Sequence, residues 1–440
     1  MSHPSPSGSR LDPYVDTYAA RTRGMTASEI RALFAVASRP EVVSLAGGMP
    51  YTAALPLDAV GELLAGLTAR AGATVLQYGS GQGDPRLREL IGEVMALEGI
   101  GASADDVVVT TGSQQALDLV ARIFLDPGDV VLAEAPSYVG ALGAFASYEA
   151  EVVHVAMDDS GLVPEALAET LGELTRKGRR AKFLYTVPNF HNPAGVTLSA
   201  ERREHILEIC QRAELLIVED NPYGLLGFEA AEPLPALRSW NAERVIYLGS
   251  FSKTFSPGLR VGWALAPHAV REKLVLASEA SILCPSSFTQ AVVAEYLTTQ
   301  PWMEQVKVFR ELYRERRDAM LEALTQLLAP LGARWTTPQG GFYVWVTLPA
   351  GLDAKAMLPL AVTARVAYVP GTAFYADGGG RGHLRLSYCF PEPDRIREGI
   401  RRLASVVEEE LELRATFGGV PSTPSDPGAP QTQSPSPDLS

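Results

Sequence analysis

Cysteine is scarce: three thiols in 440 residues, Cys210, Cys284 and Cys389, lie far apart and form no CxxC pair. That spacing argues against a disulfide framework or a zinc site, and for buried structural thiols in a reducing compartment. Long apolar runs are missing too. No stretch approaches the roughly 18 apolar residues that a membrane span needs, and the opening MSHPSPSGSR has no apolar leader core. The expectation is a cytoplasmic protein with no membrane partner. Basic charge is in deficit, with 38 Lys and Arg against 51 Asp and Glu and a formal charge of -13. Such a surface repels polyanions, so nucleic acid is not expected as a partner. No repeat of about 20 to 50 residues is visible.

What is present suffices for two or three domains of about 100 to 200 residues each, with apolar content for real cores. Residues 1–20 are expected to be flexible, being Ser/Pro/Gly-rich at the start, while 26–37 (TASEIRALFAVA) has helical apolar spacing with Thr26 or Ser28 as cap. Residues 57–71 also read as a helix. The glycine-rich QYGSGQGD then precedes another helix; with no strand before it, a dinucleotide-binding loop is disfavoured. From residue 107, seven apolar runs alternate with helical stretches: VVVT, VVLA, VVHV, FLYT, LLIVE, VIYLG and VGWAL. Continuous apolar strands are those covered on both faces. The fold class expected is therefore α/β, a mostly parallel seven-stranded sheet between helices. Helical stretches at 270–298 and 302–328 form a connector. ARWTTPQGGFYVWVTL, ARVAYVPG and HLRLSYC then supply three strand candidates before a closing helix near 393–413, which together read as a smaller α+β domain. The division expected is an arm contributing to the smaller domain at 21–50, a large domain at 51–300 and the smaller domain at 301–415. Residues 418–440 are Pro/Ser/Thr/Gln-rich and are expected to be a disordered tail.

Ligands of open α/β sheets gather beyond the carboxyl ends of the strands. After VVVT come Gly112, Ser113 and Gln114 at the start of an amphipathic helix, whose N-terminus suits a phosphate; Ser113 serves equally as an ordinary cap. After VVLA comes Tyr138, a ring for stacking on a flat ligand or for the core. After FLYT, Asn192 is fixed by Pro193 and Gly195 in a rigid turn, with an uncharged amide to offer. After LLIVE, Asp220 ends an apolar strand, where a carboxylate requires a cation, and Tyr223 follows. After VIYLG comes GSFSKTFSPGLRVGW. Its Lys253 is either a covalent anchor for an aldehyde, with Ser250, Ser252 and Arg260 around a phosphate, or a surface lysine in a serine-rich turn. Taken in that order, the five strand ends meet the needs of pyridoxal 5'-phosphate.

The motifs TTGSQQALDL, EAPSY, PNFHNPAG, VEDNPY, GSFSKTFSPGLRVGW and HLRLSY resemble those of fold-type I pyridoxal-phosphate aminotransferases of the class I/II group. The resemblance spans residues 20–412. It is strongest to the branch of 2-aminoadipate, kynurenine and aromatic 2-oxoglutarate aminotransferases. It implies that Lys253 forms the Schiff base, that Asp220 pairs the pyridinium nitrogen, and that Asn192 and Tyr223 approach the phenolic oxygen. Tyr138 would stack on the ring, while Gly112, Ser113, Gln114, Ser250, Ser252 and Arg260 serve the phosphate. Tyr78 would reach the phosphate of a neighbouring subunit, implying a homodimer with shared sites. Arg385 would take the α-carboxylate of an L-amino acid or 2-oxo acid, against the alternative of a surface ion pair. His191 departs from the glutamine common in relatives and is expected behind the site.

The implied activity is ping-pong transamination to 2-oxoglutarate from 2-aminoadipate, aromatic or branched-chain donors. Alternatives are a lyase or decarboxylase on the same fold and an aminotransferase-like regulatory domain. The latter requires an N-terminal extension of about 70 residues. Side-chain selection would fall to the Gly47-Gly48 turn and the segment around Arg23, a residue that either meets an acidic side chain or stands free in solvent.

Overall fold

The computed structural model describes residues 12, 14, 16–24, 39–228 and 234–417. The helix expected over 26–37 and the tail expected over 418–440 lie outside the described residues.

A two-residue strand, β1 (Val43–Ser44), precedes the helices Leu57–Val75 and Pro85–Ala96. Proline opens the second because its missing N–H costs nothing in a first turn, and the Asp84 side chain caps that turn by accepting from Leu87 N–H at 3.0 Å. The large sheet follows: β2 (Val107–Thr110), β3 (Val130–Ala135), β4 (Glu151–Asp158), β5 (Gly161–Leu162), β6 (Ala181–Thr186), β7 (Leu216–Asp220), β8 (Val245–Ser250) and β9 (Gly262–Leu265). Their spatial order is β2-β9-β8-β7-β6-β3-β4-β5. All seven expected runs are strands. The eighth, β5, is a two-residue antiparallel return on β4 whose brevity leaves no pattern to read. Strands β4, β3, β6, β7 and β8 run parallel, and β9 runs antiparallel to both β8 and β2.

Alternation places the side chains. In β8, Val245 joins the core with Leu132, Leu167 and Ile206, whereas Ile246 and Leu248 join Ala116, Leu117 and Phe145 on the opposite face. Every residue of β2 and β8 is buried, whereas β4 near the sheet edge is partly open.

The stretch 270–298 is two helices rather than one, His268–Ile282 and Ser287–Thr299. Leu283 takes φ +65°, Pro285 cannot donate to a helix, and Ser286 caps the new one by accepting from Thr289 N–H at 3.3 Å. The long helix Trp302–Leu327 leads to an antiparallel sheet of β10 (Arg334–Trp335), β11 (Tyr343–Thr347), β13 (Val369–Pro370) and β14 (His383–Ser387), in the order β10-β11-β14-β13. β12 (Val366–Ala367) pairs in parallel with β1, and the closing helix Pro393–Phe417 packs along Trp302–Leu327. Among the described residues, no helix is long and apolar enough to cross a membrane.

Candidate active site

A cavity of about 390 Å³ opens where β2, β3, β6, β7 and β8 end, closed from the other side by residues of β11, β14 and the segment after β1. Gly48, Ser113, Gln114, Tyr138, Asn192, Asp220, Tyr223, Ser250, Ser252, Lys253, Arg260 and Arg385 all line it. Gly112 stands behind this wall. Tyr78 lies elsewhere, 78% exposed, in a depression with Leu76, Ser286 and Phe288. The side chain of Arg23 falls outside the described residues.

Lys253 follows β8 in a turn with Ser250 and Ser252, partly buried, and its ammonium donates to the Gly48 carbonyl at 3.0 Å. Burial lowers its pKa to about 8, Arg385 and Arg260 push the same way, and the Cys389 thiol opposes them. A neutral amine is thus within reach near neutral pH, as a nucleophile requires. The surface-lysine alternative is excluded by this burial. Gly48 must be glycine, since a Cβ there would sit 1.9 Å from the Tyr343 hydroxyl. Cys389 lies under the same turn, its thiol donating to the Met49 carbonyl at 3.1 Å.

Asp220 ends β7, buried to 3% exposure, with Oδ2 accepting from the Tyr185 hydroxyl at 2.8 Å. Burial raises its pKa to about 6, partly offset by Tyr185 and His191. Its Oδ1 has no hydrogen-bond partner among the described residues. The cation that the sequence demanded therefore has an oxygen waiting for it. His191 is buried outside the cavity lining. Its Nδ1 accepts from Ala194 N–H at 3.2 Å and its Nε2 stands 3.0 Å from Glu134 Oε2.

At the other end, Gly112 with φ +74° is the N-cap of the helix Ser113–Phe124, and no side chain caps it. Ser113 is therefore the first helical residue, not the cap, and its hydroxyl is free to face the cavity. The Ser250 and Ser252 hydroxyls lie 2.9 Å apart, and Arg260 donates to Ser252 Oγ at 3.4 Å and to the Thr111 carbonyl at 3.3 Å. Arg260 takes φ +54°, a conformation uncommon for non-glycine residues, which holds its guanidinium against Gly112. A Cβ on Gly112 would come within 2.3 Å of that guanidinium. A Cβ on Gly262 would come within 2.7 Å of Ser113 N. Two hydroxyls, a guanidinium and a helix start converge as an anion cradle requires. Tyr138, entered through a cis Ala135-Pro136 bond, reaches Gln114 Oε1 at 3.3 Å, and burial raises its pKa. The cradle, the free Asp220 oxygen and the Lys253 amine together fit pyridoxal phosphate.

Arg385 on β14 is 2% exposed, donating to Asn192 Oδ1 at 2.8 Å and to the Ala46 carbonyl at 2.7 Å. Tyr343 and Phe374 stack against the guanidinium, with ring centres 4.2 and 5.0 Å from its carbon. Its Nε has no partner among the described residues. A carboxylate would complete it, and a surface ion pair is excluded by burial.

Two residues escaped the sequence pattern. Tyr185 lies inside the run FLYT, where the sequence marks only a strand, although a phenol one strand over from a terminal carboxylate is a signal. Tyr343 lines the cavity and meets the Tyr223 ring edge-on at 6.2 Å; the paired glycines before it in QGGFY, which admit close approach, mark it.

The model of "Aminotransferase class I and II" matches residues 40–403. An aromatic-amino-acid aminotransferase of Thermococcus litoralis is 43% identical over 90% of this chain and 95% of its own length. A 2-aminoadipate transaminase of Thermus thermophilus is 40% identical over 88% of this chain and 95% of its own. Among solved structures, a Pyrococcus horikoshii kynurenine aminotransferase, in complex with PMP, superposes with TM-score 0.87 at 40% identity, covering 91% of this chain and 99% of that one. The chain belongs to the class I and II aminotransferases, enzymes whose cofactor is pyridoxal phosphate.

Proposed function

We propose that this chain moves the amino group of an L-amino acid to 2-oxoglutarate in two half-reactions at one site. The donor is an aromatic amino acid or 2-aminoadipate, as the names of the relatives suggest, or a branched-chain amino acid, as the Thermus thermophilus structure complexed with N-(5'-phosphopyridoxyl)-L-leucine suggests. The observation that carries this reading is the Lys253 amine, lowered to about 8 in one cavity with Asp220 and Arg385.

When bound, pyridoxal phosphate supplies an aldehyde that takes over the amino group and a ring that accepts electrons from the substrate Cα. Ser113, Gln114, Ser250, Ser252 and Arg260 would hold its phosphate, backed by Gly112. Tyr138 would cover the ring face, and Asn192 and Tyr223 would meet the ring oxygen. Asp220 would hold the proton on the ring nitrogen, because a buried carboxylate with one bare oxygen is stabilised by a cation at that oxygen. Lys253 acts first as nucleophile; once free, its amine takes the proton from the substrate Cα and, as the acid, would hand it to the carbon that brought the aldehyde. Arg385 binds the α-carboxylate, the group common to donor and acceptor, so one arginine serves both half-reactions. Tyr78, exposed beside Leu76, completes the site of a second copy in a cytoplasmic homodimer.

The test is incubation of the holoenzyme with 2-oxoglutarate and 2-aminoadipate, phenylalanine or leucine, following glutamate, CO2 and ammonia. Glutamate formed mole for mole with the new 2-oxo acid supports transamination. Release of CO2 or ammonia without glutamate overturns it in favour of a decarboxylase or lyase.

A further inference from the structure

Phe374 has no polar atom on its side chain, yet its position decides what Arg385 faces. Its ring lies 5.0 Å from the Arg385 guanidinium carbon and meets Trp345 edge-on at 5.6 Å, fully buried. The short segment carrying it, the 3-10 turn Gly371–Phe374, joins β13 to the loop before β14. Among the described residues, two hydrogen bonds tie Phe374 and Ala376 to the large sheet and the loop after β3. The Phe374 carbonyl accepts from Ser137 N–H at 2.9 Å, next to Tyr138. The second comes from a side chain on β4. His154 Nε2 accepts from Ala376 N–H at 2.9 Å, while its Nδ1 lies 2.9 Å from the Glu134 carbonyl oxygen.

The chemistry of that bridge is fixed. An amide N–H can only donate, so Nε2 is the acceptor, and the ring proton must sit on Nδ1, donating to the carbonyl. Both ring nitrogens are thereby committed, one to β3 and one to the segment behind the Arg385 pocket. The imidazole also faces Tyr375, with ring centres 5.5 Å apart. Such a two-ended bridge serves no purpose in the sheet, where β3 and β4 already pair along six residues. Its effect is to clip the segment holding Phe374.

We propose that His154 is a positioning residue for capture of the substrate carboxylate, acting through the segment 374–376 on Arg385. The proposal rests on the reading of Arg385 as the carboxylate site. With the clip in place, Phe374 and Tyr343 both lie against the guanidinium, whose Nε has no hydrogen-bond partner among the described residues. With the clip lost, Phe374 keeps its packing and the Ser137 bond, but the wall it forms against the guanidinium is held less firmly before binding. Loss of pre-organisation weakens binding of every carboxylate substrate and leaves the proton transfer at Lys253 untouched.

The probe is 3-phenylpropionate, an unreactive carboxylate, titrated calorimetrically into the holoenzyme, alongside steady-state kinetics with both substrates. His154→Phe keeps a ring against Tyr375 but removes both hydrogen bonds. It is expected to weaken 3-phenylpropionate by about 2- to 10-fold, the range for one net hydrogen bond. KM for donor and for 2-oxoglutarate should rise in step, with kcat within about twofold. His154→Gln, whose amide oxygen reaches the position of Nε2, should restore wild-type binding. Should the Phe variant not fold, His154→Asn, too short to reach Ala376, carries the same expectation. A Phe or Asn variant with unchanged Kd, or one that loses kcat at constant KM, overturns the proposal. Arg385→Gln separates the two readings. If that variant still binds 3-phenylpropionate normally, the assignment of Arg385 fails; if it loses binding while the His154 variants do not, only the clip fails.

Discussion

Arg385 and Asn192 share a 2.8 Å hydrogen bond although one belongs to the antiparallel sheet and the other to the loop after β6 of the large sheet. In the function proposed above, the bond would couple carboxylate capture to cofactor contact, because Asn192 cannot shift without moving the guanidinium. Arg385→Lys offers a single ammonium where three directions must be served, Asn192, the Ala46 carbonyl and a carboxylate. KM for donor and acceptor should each rise about 10- to 100-fold, as expected for a lost hydrogen bond to a charged group. Steady-state kinetics in both half-reactions measure this; an effect on one substrate alone contradicts a shared carboxylate site.

Lys253→Met should abolish turnover and at the same time stabilise the apoprotein at neutral pH. The amine titrates at about 8 in the fold against an ordinary 10.5. Below pH 8 the folded chain carries a proton against burial, which subtracts from stability. Between pH 8 and 10.5 the unfolded chain alone still binds that proton, so the penalty fades as pH rises. The methionine variant should gain about 2 kcal/mol at pH 7 and much less at pH 10. Urea melts of both apoproteins decide it, and a variant that gains nothing at pH 7 argues that the charge is solvated.

Asp220→Asn should retain bound, coloured cofactor but lose about 100- to 1000-fold in kcat, the scale of removing one preorganised electrostatic contact. Tyr185→Phe tests the other side of the carboxylate. Its hydroxyl lowers a pKa that burial holds at about 6, so its loss raises the value further. In the apoprotein, a raised carboxyl penalises stability above its folded pKa and the penalty disappears as pH falls towards 3.8. The phenylalanine variant should therefore lose more stability at pH 8 than at pH 5. Equal losses at the two values would show that the phenol acts by packing alone.

Gly262→Ala should weaken cofactor binding rather than catalysis by bound cofactor. The new Cβ would stand 2.6 Å from the Gly112 carbonyl carbon and 2.7 Å from Ser113 N, so the helix start must move away from Arg260. A loss of at least about tenfold in affinity for pyridoxal phosphate is expected, equivalent to one charge-assisted hydrogen bond. Fluorescence titration of the apoprotein gives the number directly, and undiminished affinity would show that the phosphate does not use this helix.

Local signals made much of the site legible. Lys253, Asp220, Asn192 and Ser113 each follow a strand whose continuous apolar run announces burial on both faces, and parallel strands deliver their carboxyl ends to one edge. Tyr343, Tyr185 and the His154 bridge carry no such mark. Their partners are set by the register between strands or by the meeting of two sheets, which no short window of sequence contains. Tyr78 reads as a site residue in sequence yet faces solvent in a single chain.

By itself, then, the amino-acid sequence determined the seven longer strands of the large sheet, most of the helical stretches and the residue types at each strand end, because burial pattern and turn chemistry are local properties. Only the tertiary structure decided that the Gly48 carbonyl receives the Lys253 ammonium, that Tyr343 and Phe374 lie against the Arg385 guanidinium, and that one Asp220 oxygen has no partner among the described residues. Those relationships join residues far apart in the chain, and the pKa values near 8 and 6 arise from the burial their packing creates.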